Sequence, residues 1–264
     1  MKKIFLLVFL LSFLFFNKVC SAQETTTEEQ YQLFLKKYRL YQASSDSYNN
    51  AKSKYLSYQS VTSRADYLES LRKYLSLEIE AAEAYAGFLR SRLTEATKIL
   101  NYQENLYFIR LDDELTFLSL LKKDVDGAAS VSEFLVLWQD FGKHFQSIST
   151  YGYAIKSYIE IGSLDKINEN LKITKDKISY YLSESPADNS YVKAAKDNFS
   201  VSEKDYSKIT SSLVNLKNIQ KSFSQGNESK KTAISIREEI NQTLAKIQSL
   251  ITNYQKLLLT IVSR

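Results

Sequence analysis

Residues 240–261 read INQTLAKIQSLITNYQKLLLTI, and the spacing of their apolar side chains decides the fold class. Ile240, Leu244, Ile247, Ile251, Tyr254, Leu258 and Ile261 recur at alternating steps of four and three, a heptad seam along one face of an α-helix. Upstream, Phe199, Tyr206 and Leu213, interleaved with Ala195, Ile209, Leu216 and Phe223, form a second seam. Gly226-Asn227 supplies a turn between them. The pair is therefore expected to lie antiparallel, each helix about 50 Å long at about 1.5 Å per residue.

The rest of the chain is just as poor in breakers. Six Gly and one Pro occur in 264 residues, where an average chain would devote about 12% of its positions to the two together. Strands need a turn signal every 8–12 residues or so, and these are missing. The expectation is an all-α fold of five or six long helices, arranged as an up-and-down bundle or an elongated antiparallel coiled coil. No internal repeat of fixed period argues for a solenoid.

Moving toward the N-terminus, Ser185-Pro186-Ala187-Asp188 ends the preceding helix, because proline disfavours helix at the residue before it. That helix carries Phe134, Leu137, Trp138, Phe141, Phe145 and Ile148, then Leu164, Ile167, Leu171, Ile178 and Leu182 beyond Gly162-Ser163, where a break or kink is expected. A loop over 124–129 and a capping box at Ser130-Val131-Ser132-Glu133 open it. A second capping box is read at Ser63-Arg64-Ala65-Asp66, followed by Leu68, Leu71, Leu75, Ala82, Leu89, Leu93 and Ala96 at helical spacing. The first helix, reaching to about Gln59, has Phe34, Tyr41, Tyr48 and Tyr55 every seventh residue, with Tyr31 and Tyr38 in the companion register. In domain terms, an N-terminal long-helix bundle spans 23–184 and a C-terminal antiparallel hairpin spans 187–264.

Residues 1–22 stand apart. Lys2 and Lys3, an apolar run from Ile4 to Phe16 and the small residues Cys20-Ser21-Ala22 follow the order of a secretory signal peptide, cleaved after Ala22. The run is shorter than the roughly 20 apolar residues that span a bilayer, so the protein is expected to be exported. Cleavage removes three cations (Lys2, Lys3, Lys18) and no acid, lowering the formal charge from +5 to +2. It also removes Cys20, the only cysteine, and with it any disulfide or thiolate site. Residues 23–163 carry a net charge of −3 and residues 164–264 carry +5, with no concentrated basic face, so nucleic acid is not an expected partner.

Residues for chemistry are scarce. His144 is the only histidine and is expected to form a surface ion pair with Asp140, one helical turn away. A transition-metal centre recruits several His or Cys ligands, which this chain cannot supply. Asp112-Asp113-Glu114 occupy consecutive helical positions about 100° apart and are expected to face solvent. Neither a Gly-x-Ser-x-Gly turn nor a Gly-rich phosphate loop is present. No catalytic, cofactor or metal residue is assigned, and no enzymatic activity is expected. Asn198, Asn227 and Asn241 begin Asn-x-Ser/Thr triplets.

The candidate interaction region runs from Tyr107 to Phe145, where apolar residues surround both helices instead of forming one stripe. Two arrangements satisfy this pattern. Either the helix from Ser63 runs straight to Asp124 and the region projects as an exposed arm, or it breaks near Asn101-Tyr102-Gln103-Glu104 and the hairpin folds into the core. Phe117, Leu121, Phe134 and Trp138 are the residues expected to meet a partner. The expected role is an exported, non-enzymatic scaffold or adaptor that binds a protein or cell-envelope partner, with peripheral membrane contact as a further option. The alternative is a holdase-type chaperone in the periplasm that uses the 107–145 hairpin.

Overall fold

The computed structural model describes residues 24–99, 106–185, 190–224 and 230–262. The signal peptide read over 1–22, the break at 101–104, the proline at 186 and the turn at 226–227 lie outside them. Six α-helices and no strand occur among the described residues: α1 (Glu24–Tyr58), α2 (Val61–Ile99), α3 (Leu106–Gly127), α4 (Val131–Ser183), α5 (Ser190–Ser224) and α6 (Lys230–Val262). The all-α expectation holds. The described residues divide into two compact units, one holding nearly all of those up to Ser149 and the other those from Thr150 onward, so that α4 contributes to both.

In the N-terminal unit, α1 and α2 run antiparallel, joined by the two residues Gln59-Ser60. Paired rings show the direction, since Tyr31 meets Phe88, Phe34 meets Tyr85, Tyr41 meets Tyr74 and Tyr55 meets Tyr67. The tyrosine stripe of α1 thus packs on α2, with Tyr48 buried and the Tyr41 hydroxyl turned inward to Tyr74 and Glu78. Helix α3 folds back along α2. Arg90 grips Asp112 with Nε to Oδ1 at 2.7 Å, and Arg72 Nη2 donates to the Ala128 carbonyl at 2.7 Å. The first part of α4 returns beside α1 and α2, where Trp138 lies 5.9 Å from Tyr48 and 5.6 Å from Tyr74 between ring centroids. The result is an up-down-up-down four-helix arrangement, and the folded-in hairpin replaces the exposed arm. Buried Ala81, Ala82, Ala84 and Ala86 give α2 a slim waist, which lets neighbouring helices approach it on more than one side.

In the C-terminal unit, α5 lies antiparallel to the rest of α4. Gln220 Nε2 donates to the Ala154 carbonyl at 3.3 Å, and Lys217 pairs with Asp165 at 2.7 Å. Helix α6 returns along α5, with Lys246 Nζ donating to Ser212 Oγ at 3.0 Å. The core face of α6 is Ile236, Ile240, Thr243, Ile247, Leu250, Tyr254 and Leu257. This shifts one register of the expected seam by a residue: Leu244 is exposed, Ile251 and Leu258 are half-buried, and Thr243, Leu250 and Leu257 take the inner positions.

Two start signals behave differently. At α4 the capping box forms as expected, the Glu133 amide donating to Ser130 Oγ at 3.3 Å and the Ser130 hydroxyl to Glu133 Oε1 at 2.9 Å. At α2 the cap is Ser60, three residues before the expected Ser63. The Ser63 amide donates to Ser60 Oγ at 3.1 Å and the Ser60 amide donates to Ser63 Oγ at 3.0 Å, a reciprocal box built from two serines. Gly162-Ser163 does not interrupt α4, which runs unbroken from Val131 to Ser183, and the Ser163 hydroxyl donates back to the Ile159 carbonyl at 2.9 Å.

Candidate functional site

The α3–α4 hairpin is apolar all round in sequence, and the structure shows which half is structural. Tyr107, Leu111, Glu114, Leu118, Leu121 and Val125 are buried at steps of four and three and form the inner face of α3. On α4, Phe134, Phe141 and Ile148 are buried at seven-residue intervals. Of the four expected partner residues, Leu121 and Phe134 are therefore core, and neither is available to a partner. Phe117 and Trp138 are half-buried, Phe117 stacking on His144 with centroids 3.4 Å apart.

The outward apolar residues are their sequence neighbours. Leu120 is 54% exposed, Leu135 56% and Val136 59%. Beside Val136 lies a shallow groove of about 460 Å³, lined by Lys123, Asp124, Gly127, Ala128, Glu133, Val136 and Leu137. Leu120 stands one turn before Asp124 on the same face of α3. The groove has an apolar floor and a charged rim of one cation and two anions. The Glu133 carboxylate is held below its ordinary range by the hydrogen bonds it accepts from the Ala129 amide and the Ser130 hydroxyl.

The N-terminal unit also holds partly buried polar pairs that periodicity could not reveal. His144 pairs with Glu114 of α3, Nδ1 to Oε2 at 2.7 Å, and Asp140 pairs with Lys143 at 2.8 Å instead. Glu114 is thus buried, while its neighbour Asp112 binds Arg90 at the surface. The expected Asp140–His144 pair and the solvated acidic run are both corrected in this respect: a buried heptad position selects Glu114, and a histidine on the facing helix satisfies it. Between α1 and α2, the Tyr41 hydroxyl contacts the Tyr74 hydroxyl at 2.8 Å and donates to Glu78 Oε1 at 3.2 Å, while Glu78 Oε2 is buried without a hydrogen bond. Burial pushes the Glu78 carboxyl up to about 7, against the opposing hydrogen bond from Tyr41. Burial also raises Tyr41 and Glu83. Glu80 goes the other way: burial would raise it, but Lys122 and Lys37 both donate to it and together hold it below the ordinary carboxylate range.

Among the described residues, no three His, Cys, Asp or Glu side chains converge as a metal site would require. None of the described helices is long and apolar enough to cross a membrane. Asn198 and Asn241 are exposed on α5 and α6, and Asn227 lies outside the described residues. In comparisons with known protein families, curated proteins and solved structures, this chain matches none.

Proposed function

We propose that the protein is an exported, non-enzymatic scaffold or adaptor whose α3–α4 hairpin presents its outer face to a protein partner. One observation carries the reading: Leu120, Leu135 and Val136 are each more than half exposed on a hairpin whose inner faces are fully occupied. Large side chains left outward, with Val136 lining an open groove, fit the anchor pattern of an amphipathic helix laid across two others. Lys123, Asp124 and Glu133 would then set its charge register. Export rests on the order of Lys2-Lys3, the Ile4–Phe16 run and Cys20-Ser21-Ala22.

Photo-crosslinking from the native host tests this. With a benzophenone amino acid at Val136, a discrete adduct is expected that is absent when the same group replaces exposed Tyr180, and Leu120→Ser should weaken it. A broad smear of unfolded client chains would instead favour the holdase reading, since the same apolar face could bind such clients. No adduct from Val136 would remove the basis for both.

A further inference from the structure

Helices α1 and α2 continue past the neighbouring turn. Ala128, at the α3–α4 turn, is level with Arg72, and roughly three turns of α2 lie beyond that point before the chain reaches Val61. Along this tip, from Lys52 through Asp66, only Tyr55 and Ser63 escape full exposure. Three large apolar residues crowd the turn, with Leu56 62%, Tyr58 76% and Val61 88% exposed. Exposed Lys54 and Arg64 flank them with one exposed anion, Asp66, and exposed Lys52 stands behind, its Nζ 5.7 Å from the Tyr48 ring centroid. The next exposed acids along α1 and α2 are Asp46 and Glu69, and Asp124 and Asp126 lie in the last turn of α3, beside the set-back α3–α4 turn.

Neither the core nor the cap needs these apolar side chains. Tyr55 and Tyr67 close the aromatic stack below them at 5.3 Å, and Ser60 with Ser63 closes the backbone. An aliphatic and aromatic cluster at the end of a hairpin, ringed by lysine and arginine with hydroxyl and amide groups between, has the chemistry of the bilayer interface. The apolar tips enter the acyl boundary, the tyrosine ring sits at headgroup depth, and the cations meet anionic headgroups. We infer that the α1–α2 tip docks the protein peripherally on an anionic lipid surface. A protein partner would be met by the α3–α4 outer face, so the two surfaces can be tested separately.

The experiment uses the full chain with Cys20→Ser and a nitroxide on Thr62→Cys, beside a second label on Ser211→Cys of α5. The position-specific label separates the tip from any binding through the apolar run at 4–16. On vesicles of equal parts phosphatidylglycerol and phosphatidylcholine, the label at 62 should gain oxygen accessibility and lose contact with a nickel chelate, while the label at 211 does not change. Pure phosphatidylcholine should give no such change. Lys52→Gln with Lys54→Gln and Arg64→Gln should weaken the tip's anionic-vesicle response roughly a hundredfold, each cation near such a surface contributing about fivefold. Leu56→Ser with Tyr58→Ser and Val61→Ser should abolish insertion while helicity is retained. If that variant misfolds, the charge variant still decides. An unshifted label at 62, an equal response on the zwitterionic vesicles, or full binding by the charge variant would each overturn the inference.

Discussion

At the scale of single residues, the most consequential group is Glu78. Its carboxyl titrates at about 7 in the folded protein, above the ordinary 4.5 of an unfolded chain. Below pH 4.5 both states are protonated and the site costs nothing. As pH rises from 4.5 to 7 the unfolded chain releases its proton first, so folding loses stability across that window and the loss is complete above it. Glu78→Gln should therefore stabilise the protein by about 2 kcal/mol at pH 8, after discounting for partial exposure, and by much less at pH 4. Urea titrations of both proteins at the two pH values would show it, and an equal difference at both would contradict it. Gln59 offers a second residue-scale test. It ends α1 with φ 47°, a left-handed conformation that a side chain resists. Gln59→Gly should add about 1 kcal/mol, seen as a thermal midpoint raised by about 2–4 °C in a chain of this size.

At the scale of elements, the test of the α3 assignment is a contrast between two nearby leucines. Leu118 is fully buried, and Leu118→Ala should cost about 3 kcal/mol of unfolding free energy by denaturant titration. Leu120, two residues on, faces outward, and Leu120→Ala should stay within about 0.5 kcal/mol. Similar costs for both would mean that Leu118 does not lie on the inner face of α3. This pair also shows where sequence stops being informative. Helical class followed from sparse Gly and Pro, and in α5 the spacing placed Ala195, Phe199, Ile209, Leu213 and Leu216 on the core face. In α6, Ser249-Leu250-Ile251 and Leu257-Leu258-Leu259 offer adjacent apolar residues, so periodicity cannot choose between registers, and Thr243 lies inside while Leu244 faces out. The α3–α4 hairpin has the same ambiguity, which is why Leu121 and Phe134 read as surface candidates while Leu120 and Val136 did not. Partners far apart in sequence were equally illegible: nothing local to His144 points to Glu114, thirty residues away. The exposed apolar turn at Leu56, Tyr58 and Val61 did have a signal, since apolar residues within a polar turn break the stripe that precedes them.

At the scale of the whole molecule, each compact unit owns a core. Leu71 and Leu250 are both fully buried, one in each. Calorimetry is expected to resolve two transitions, Leu71→Ala lowering one and Leu250→Ala the other. A single transition moved by both variants would show one cooperative body. One detail of the N-terminal unit makes such events easy to observe. Trp138 is the only tryptophan in a chain with 19 tyrosines, and its ring lies 5.6 Å from that of Tyr74 and 5.9 Å from that of Tyr48. Light absorbed by these phenols passes to the indole with high efficiency at such short range. Native protein excited through tyrosine should glow mainly as tryptophan, and parting α4 from its two neighbours should hand the emission back to the phenols, giving this unit a built-in optical gauge of its own assembly.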